Sequence, residues 1–242
     1  MTTVTTEWHD RVAVLTLNRP HVRNAIDREL AGALTEAVRA AQSAACIVLT
    51  GAGSAFCAGL DLAEAAAAGF IDAGWLDRTF GASAVPLVAA VNGPAATGGL
   101  EVVLACDIVL ASESARFADT HGLVGTIPGG GMATRLSARV GVGFARQMSY
   151  TGAFVDAATA LRVGLVNEVL PGPELLPRAV ALGTAMAAVA DPVLRAVKRL
   201  YDDATALAPG AGLAREQELF AAFTAARAAD FSGFHERLGH RG

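Results

Sequence analysis

Three glycine-rich turns each follow a short apolar run: Gly51 to Asp61, Gly93 to Glu101, and Gly125 to Gly131. None is a phosphate loop, because neither Gly-x-x-x-x-Gly-Lys nor Gly-x-Gly-x-x-Gly occurs. What they share is backbone amides with little side chain in the way. Gly98 and Gly99 are read as the start of a helix, where amides lack partners and the helix dipole favours negative charge. A second amide in the Ala58-Gly59-Leu60 turn would complete a two-donor hole for a carbonyl oxygen becoming an oxyanion. Glycine at a helix start also marks an ordinary tight turn, and spacing alone leaves both readings open. Glu101 follows Gly98 by three and interrupts the apolar stretch Leu100 to Ala105. It is either a partly buried carboxyl suited to proton transfer or the solvated face of an amphipathic helix.

Other reactive side chains have plainer readings. Cys57 lies beside the proposed hole, but no histidine is near it in sequence, so it is read as a small buried thiol. Cys46, Cys57 and Cys106 fit neither a disulfide framework nor a metal site, and no metal, nicotinamide or flavin site is visible. Asp107 is expected to bond backbone amides near the Gly98 turn and hold its shape. Trp75 either lines an acyl pocket or packs, and His235 and His240 are read as solvated.

The elements that must position these groups follow from pattern. Val4–Trp8 and Val12–Leu17 read as strands around a turn, and Asp27 caps a helix running to about Ala41. Ile47–Thr50, Leu87–Val91 and Asp107–Ala111 read as buried strands, with Ala115–Ala118 as a further one. Leu62–Phe80 is loosely helical, and helical stretches run from the Pro128–Gly131 breaker to Tyr150. Asp156 caps a short helix ending at Gly164, Leu165–Leu170 is a strand, and everything from Glu174 is helical. Strands alternating with short helices argue for an α/β fold with mostly parallel strands.

Composition excludes several functions. The 242 residues are 53% hydrophobic, 6% aromatic and 17% charged, which is enough apolar side chain for a packed core and excludes disorder. The net charge is -4, Lys198 is the one lysine, and the arginines are scattered, so nucleic acid is not an expected partner. Met1–Thr6 has no secretory character, and the apolar run Ala179–Ala190 is too short to span a bilayer. A cytoplasmic protein with no membrane partner is expected. The high mean hydropathy, +0.43, points to apolar surface buried between subunits.

The segments "LNRP" with Asn24-Ala25, "FCAGLDL" at Phe56–Leu62, and "VPLVAAVNGPAATGGLEVVLACDIVLA" at Val85–Ala111 resemble the crotonase superfamily. "GLVGTIPGGGMATRL" at Gly122–Leu136 and "TGAFVDAATALRVGLVNEVLP" at Thr151–Pro171 continue the likeness over nearly the whole chain. Within the superfamily the chain is most similar to enoyl-CoA hydratases. The resemblance implies a crotonase spiral of strand-strand-helix repeats over 1–190 and a C-terminal helical oligomerisation region over 191–242, assembled as a trimer or dimer of trimers. It implies a CoA thioester as substrate and no separate cofactor. The Leu60 and Gly98 amides would form the oxyanion hole, Glu101 would be the first catalytic glutamate, and Gly129, with Gly99, would position water or substrate. His21, Arg23 and Ala58 would lie near the CoA.

One departure stands out. A hydratase's second catalytic glutamate aligns with His121, and Asp119 is two residues away, on the same side of an extended segment. The implied chemistry has Glu101 orient or deprotonate a water that adds at C3. His121 would then deliver a proton at C2, imidazole being a group able to take either role. Weak or altered hydration is expected. Isomerisation, hydrolysis or decarboxylation of an acyl-CoA on the same fold, and non-catalytic acyl-CoA binding, are the competing expectations. The stretch from Phe234 to Gly242 resembles a shortened final helix of the family.

Overall fold

The computed structural model describes residues 2–206 other than 69, 70 and 73, together with 217, 218 and 222. The chain divides into two compact units, Met1–Val189 and Ala190–Gly242. The first unit begins with β1 (Val4–His9), β2 (Val12–Leu17), α1 (Arg28–Ala40), β3 (Cys46–Gly51), α2 (Leu62–Ala68) and β4 (Leu87–Val91). It continues with β5 (Ala95–Ala96), α3 (Gly98–Leu104), β6 (Ile108–Ser112), β7 (Arg116–Ala118), α4 (Met132–Val140) and α5 (Val142–Thr151). It ends with β8 (Val155–Asp156), α6 (Ala157–Arg162), β9 (Glu168–Leu170) and α7 (Gly172–Ala187). The second unit carries α8 (Asp191–Ala206), which opens on the Asp191-Pro192 start.

The main sheet runs β1-β2-β3-β4-β6-β9 and the smaller one β5-β7-β8. Only the β1–β2 hairpin is antiparallel in the main sheet. Parallel strands are covered on both faces, which is why VAVLTL, CIVLTG and LVAAV are apolar at nearly every position. The two-residue period divides them cleanly. Ala13, Leu15, Leu17, Ile47, Leu49, Leu87, Ala89 and Val91 join the cluster that includes Leu30 and Leu34 of α1 and Leu100 of α3. Val12, Val14, Cys46, Val48, Val88 and Ala90 face the opposite way, onto Leu175 and Ala179 of α7. A methyl on Gly183 would come within 2.7 Å of Val12, so α7 lies close against the sheet.

Local signals place the helices. Asp27 caps α1 by accepting from the Leu30 amide at 2.7 Å, and Asp156 caps α6 by accepting from Thr159 at 2.8 Å. Gly141, at φ 76, separates α4 from α5 within the helical stretch anticipated up to Tyr150.

Several expectations need correction. The strand foreseen over Leu165–Leu170 shortens to β9, because the Leu165 and Val166 amides turn back to the Ala160 carbonyl and close α6. Leu62–Phe80 is α2 followed by a separate wide helical turn over Asp77–Gly81. Asp107 does not brace the Gly98 turn. Its Oδ2 accepts from the Leu87 amide at 2.7 Å, at the opposite end of β4, so it fastens the strand start. The helix expected after residue 206, with His235, His240 and the Phe234–Gly242 segment, lies outside the described residues. No single described helix is long and apolar enough to cross a membrane.

Candidate active site

The site forms where the loops after β3 and β4 meet α3. The 52–60 loop has almost no repetitive structure, so its carbonyls need partners from elsewhere. Asn24 supplies them. Fully buried and at φ 56, it donates from Nδ2 to the carbonyls of Ala52 and Ala55 at 2.9 Å and of Phe56 at 3.1 Å. Its Oδ1 accepts from the Arg19 amide at 2.9 Å. The Arg19 guanidinium bridges Asp27 at 2.8 Å and Asp61 at 3.2 Å, tying the loop's far end to the start of α1. Asn92 accepts from the Gly51 amide and donates to the Gly53 carbonyl, joining the β4 exit to the same loop.

The start of α3 is strained. Thr97 has φ 50 and ψ -121, a conformation that side chains other than glycine rarely hold. It is held by its amide donating to the Ala118 carbonyl and its hydroxyl donating to the Ala58 carbonyl. Gly59 permits that approach, since a Cβ there would lie 2.2 Å from the Thr97 hydroxyl. The turn brings Gly98 beside Leu60, so that a methyl on Gly98 would sit 3.6 Å from the Leu60 amide nitrogen. Among the described residues neither amide has a hydrogen-bond acceptor.

Leu60, Gly98, Glu101, His121, Gly129 and Gly130 line one cavity of about 210 Å³, with Trp75 and Ile127 among its apolar walls. The solvated-face reading of Glu101 does not hold, because every residue of α3 is buried and Glu101 is 5% exposed. Its Oε1 accepts from the Gly130 amide at 2.7 Å and the Met132 amide at 3.3 Å, leaving Oε2 directed at His121 Nε2, 3.9 Å away. Burial pushes the carboxyl above its ordinary pKa, more than the two amides and the His121 charge pull it down. Arg135 holds the Gly130 carbonyl at 2.6 Å and reaches Asp77 at 2.5 Å, which fixes the peptide that presents the Gly130 amide.

His121 is also buried. Its Nδ1 meets Asp119 Oδ1 at 2.6 Å, and its backbone amide reaches the same oxygen at 3.3 Å. Burial by itself would raise the Asp119 carboxyl. The hydrogen bonds from the His121 ring, the Ser149 side chain and the His121 amide together hold it below the usual range. Asp119 is thus not a second acid on the cavity wall. It lies behind the imidazole, on the ring nitrogen opposite the cavity-facing one.

The remaining candidates separate. Gly99 is fully buried against Cys57, whose carbonyl would be 2.2 Å from an added Cβ, and it does not line the cavity. His21 and Arg23 are exposed on and just after a 3-10 turn, and Ala58, also exposed, donates its amide to the Arg23 carbonyl at 3.0 Å. None of these three lines the cavity. Cys57 is a buried thiol whose pKa burial pushes up to about 12. Trp75 both lines the cavity and packs edge-on to Phe80, its ring N–H donating to Thr35. Gly130, Asn24 and Thr97 are participants that motif spacing did not single out. Among the described residues no group of three or more His, Cys, Asp or Glu side chains is arranged to hold a metal.

Comparison with known proteins gives this geometry its context. The family described as enoyl-CoA hydratase/isomerase matches residues 7–240. A 2,3-dehydroadipyl-CoA hydratase of Escherichia coli (strain K12) is 38% identical over 220 residues, covering 87% of this chain and 86% of that protein. The crystal structure of an enoyl-CoA hydratase subunit I from Geobacillus kaustophilus HTA426 superposes with a TM-score of 0.89 at 30% identity, covering 97% of this chain and 95% of that one. An enoyl-CoA hydratase from Mycobacterium tuberculosis H37Rv gives 0.78 at 39% identity, covering 90% and 99%. The mixed α/β fold is therefore that of these structures. The chain belongs to the enoyl-CoA hydratase/isomerase family, within the crotonase superfamily, and is an enzyme of that type.

Proposed function

We propose that the protein adds water across the double bond of a short 2-enoyl-CoA thioester. The observation that carries this reading is the meeting of Glu101 Oε2 and His121 Nε2, 3.9 Å apart and both buried, on the cavity that Leu60 and Gly98 also line. The unpartnered Leu60 and Gly98 amides would receive the thioester oxygen. There they polarise the conjugated double bond and stabilise the enolate formed as water attacks C3. One such donor contributes on the order of 10²–10³ in rate.

Glu101 Oε2 takes a proton from the attacking water while a protonated His121 gives its Nε2 proton to C2. Water's O–H, the imidazolium N–H and the C2–C3 π bond break, and C3–O, C2–H and Oε2–H form. Return of the proton from Oε2 to Nε2 resets the pair, so the net change is addition of one water. The raised affinity of Glu101 for a proton supports this role, since it brings the base closer to working pH. The modest cavity supports a short acyl group. An imidazole is larger than a carboxylate and presents one nitrogen rather than two oxygens, so slower hydration than with a paired glutamate is expected. Within this reading the chain works as a trimer or pair of trimers, to be checked by sedimentation.

The test is turnover of crotonyl-CoA by wild type, Glu101→Gln, His121→Ala and His121→Glu, with product analysis. Each of the first two substitutions should lower kcat by roughly 10²–10⁴-fold, and His121→Glu should raise hydration. Full turnover by Glu101→Gln would overturn the assignment. Double-bond migration or free acid as the main product would replace hydration by isomerisation or hydrolysis on the same groups.

A further inference from the structure

In the proposed cycle His121 delivers a proton at C2, which requires its ring to be held in one orientation. We propose that Asp119 is the positioning residue of this site: by accepting Nδ1–H at 2.6 Å it fixes the imidazole with Nε2 facing the cavity. The inference rests on that reading of His121.

Three observations converge on it. The Asp119–His121 contact, 2.6 Å at Nδ1, is the shortest of the polar contacts made by the cavity acid, the imidazole and the aspartate. Asp119 is 2% exposed, and a carboxylate is tolerated at that depth only when its lone pairs are occupied. Here the ring N–H and the His121 amide from its own segment occupy them. The cavity lies on the other side of the ring, where Glu101 is 3.9 Å from Nε2, too far for a direct hydrogen bond and close enough to pass a proton through one bridging atom. An imidazole with one nitrogen committed to a buried carboxylate has a single way to face the substrate. Without Asp119 the ring can rotate and Nε2 loses its fixed direction into the cavity.

The titratable groups facing His121 are Asp119 on its own segment and Glu101 on α3, with Asp72 the further acid on the cavity wall. In the wild type the pH–rate profile should fall on the acid side as Glu101, which burial holds above its ordinary pKa, gains its proton. Asp119→Asn replaces the ionised acceptor that fixes the ring. Its kcat should then fall about 10²-fold or more, by analogy with other sites where a buried Asp orients a catalytic His. KM should change less than about threefold, because the thioester grip is untouched.

The second readout does not depend on turnover. Nitrogen-15 NMR of the histidine rings, assigned to His121 by comparison with His121→Ala, should show Nδ1 protonated at neutral pH in wild type, with its proton shifted downfield. Asp119→Asn should lose that signal. Retention of the wild-type kcat by Asp119→Asn would overturn the proposal, and so would an Nδ1 that carries no proton in wild type. If His121→Ala and Glu101→Gln both keep full turnover while the Nδ1 signal is present, the hydration reading fails and the pairing stands. If Asp119→Asn does not fold, the wild-type spectrum still decides the matter.

Discussion

Glu101 binds its proton more tightly in the folded chain than in the unfolded one, because burial penalises the carboxylate. Between the unfolded and folded pKa values the native state therefore holds more protons, and stability falls as pH rises through that window. Above the window the penalty is constant. Glu101→Gln removes it while its amide oxygen still accepts from Gly130 and Met132, so this inactive variant should melt at a higher temperature than wild type at neutral pH. A thermal scan against pH checks the sign: the gap should close as the pH drops below the ordinary glutamate range. Asp119 has the opposite sign. Its lowered pKa gives stability that is present above the unfolded value and lost as pH falls through the folded one, so Asp119→Asn should melt lower than wild type at neutral pH. A site whose reacting acid costs stability while its supporting acid contributes it fits the general trade between activity and stability.

Among the elements, the connections matter more than the strands and helices they join. Asn24→Ala would leave the Ala52, Ala55 and Phe56 carbonyls without their shared donor. At roughly 1–3 kcal/mol for a buried unsatisfied group, shared among three that can partly relax, the loss is about 3 kcal/mol. Chemical denaturation should show it, together with reduced turnover, because the same loop carries Leu60. Gly130→Ala acts elsewhere. Its methyl would meet Leu76 at 2.3 Å and the Glu101 carboxyl at 2.8 Å, so the Leu76 end and the carboxyl itself would have to shift. It should lower kcat more than Gly129→Ala does, a comparison that separates the two glycines in one assay. These contacts also mark what was legible in advance. The buried strands, the Asp27 and Asp156 caps, and the placing of Glu101, His121, Leu60 and Gly98 near one another followed from local pattern and family likeness. Asn24 and Thr97 did not, because left-handed backbone at a polar residue leaves no trace in hydrophobic period. Gly129 and Gly130 are neighbours that spacing cannot tell apart; only the fold decides which amide meets the acid. β5 and β8, two residues each, are too short for any periodic signal.

In the molecule as a whole, the site hangs from the C-terminal ends of parallel strands that are buried on both faces, so its framework is the most strongly packed part of the first unit. Its outer wall is different. The segment from Gly125 to Gly131 is fastened at Gly130 by Arg135 and by the Glu101 carboxylate. An ionised acceptor binds an amide about twice as strongly as a neutral one. In the proposed cycle Glu101 is neutral only between water attack and reset. Under that cycle the hold on that wall should loosen just after water attack and tighten again as the charge returns, so that release of product is timed by the same proton.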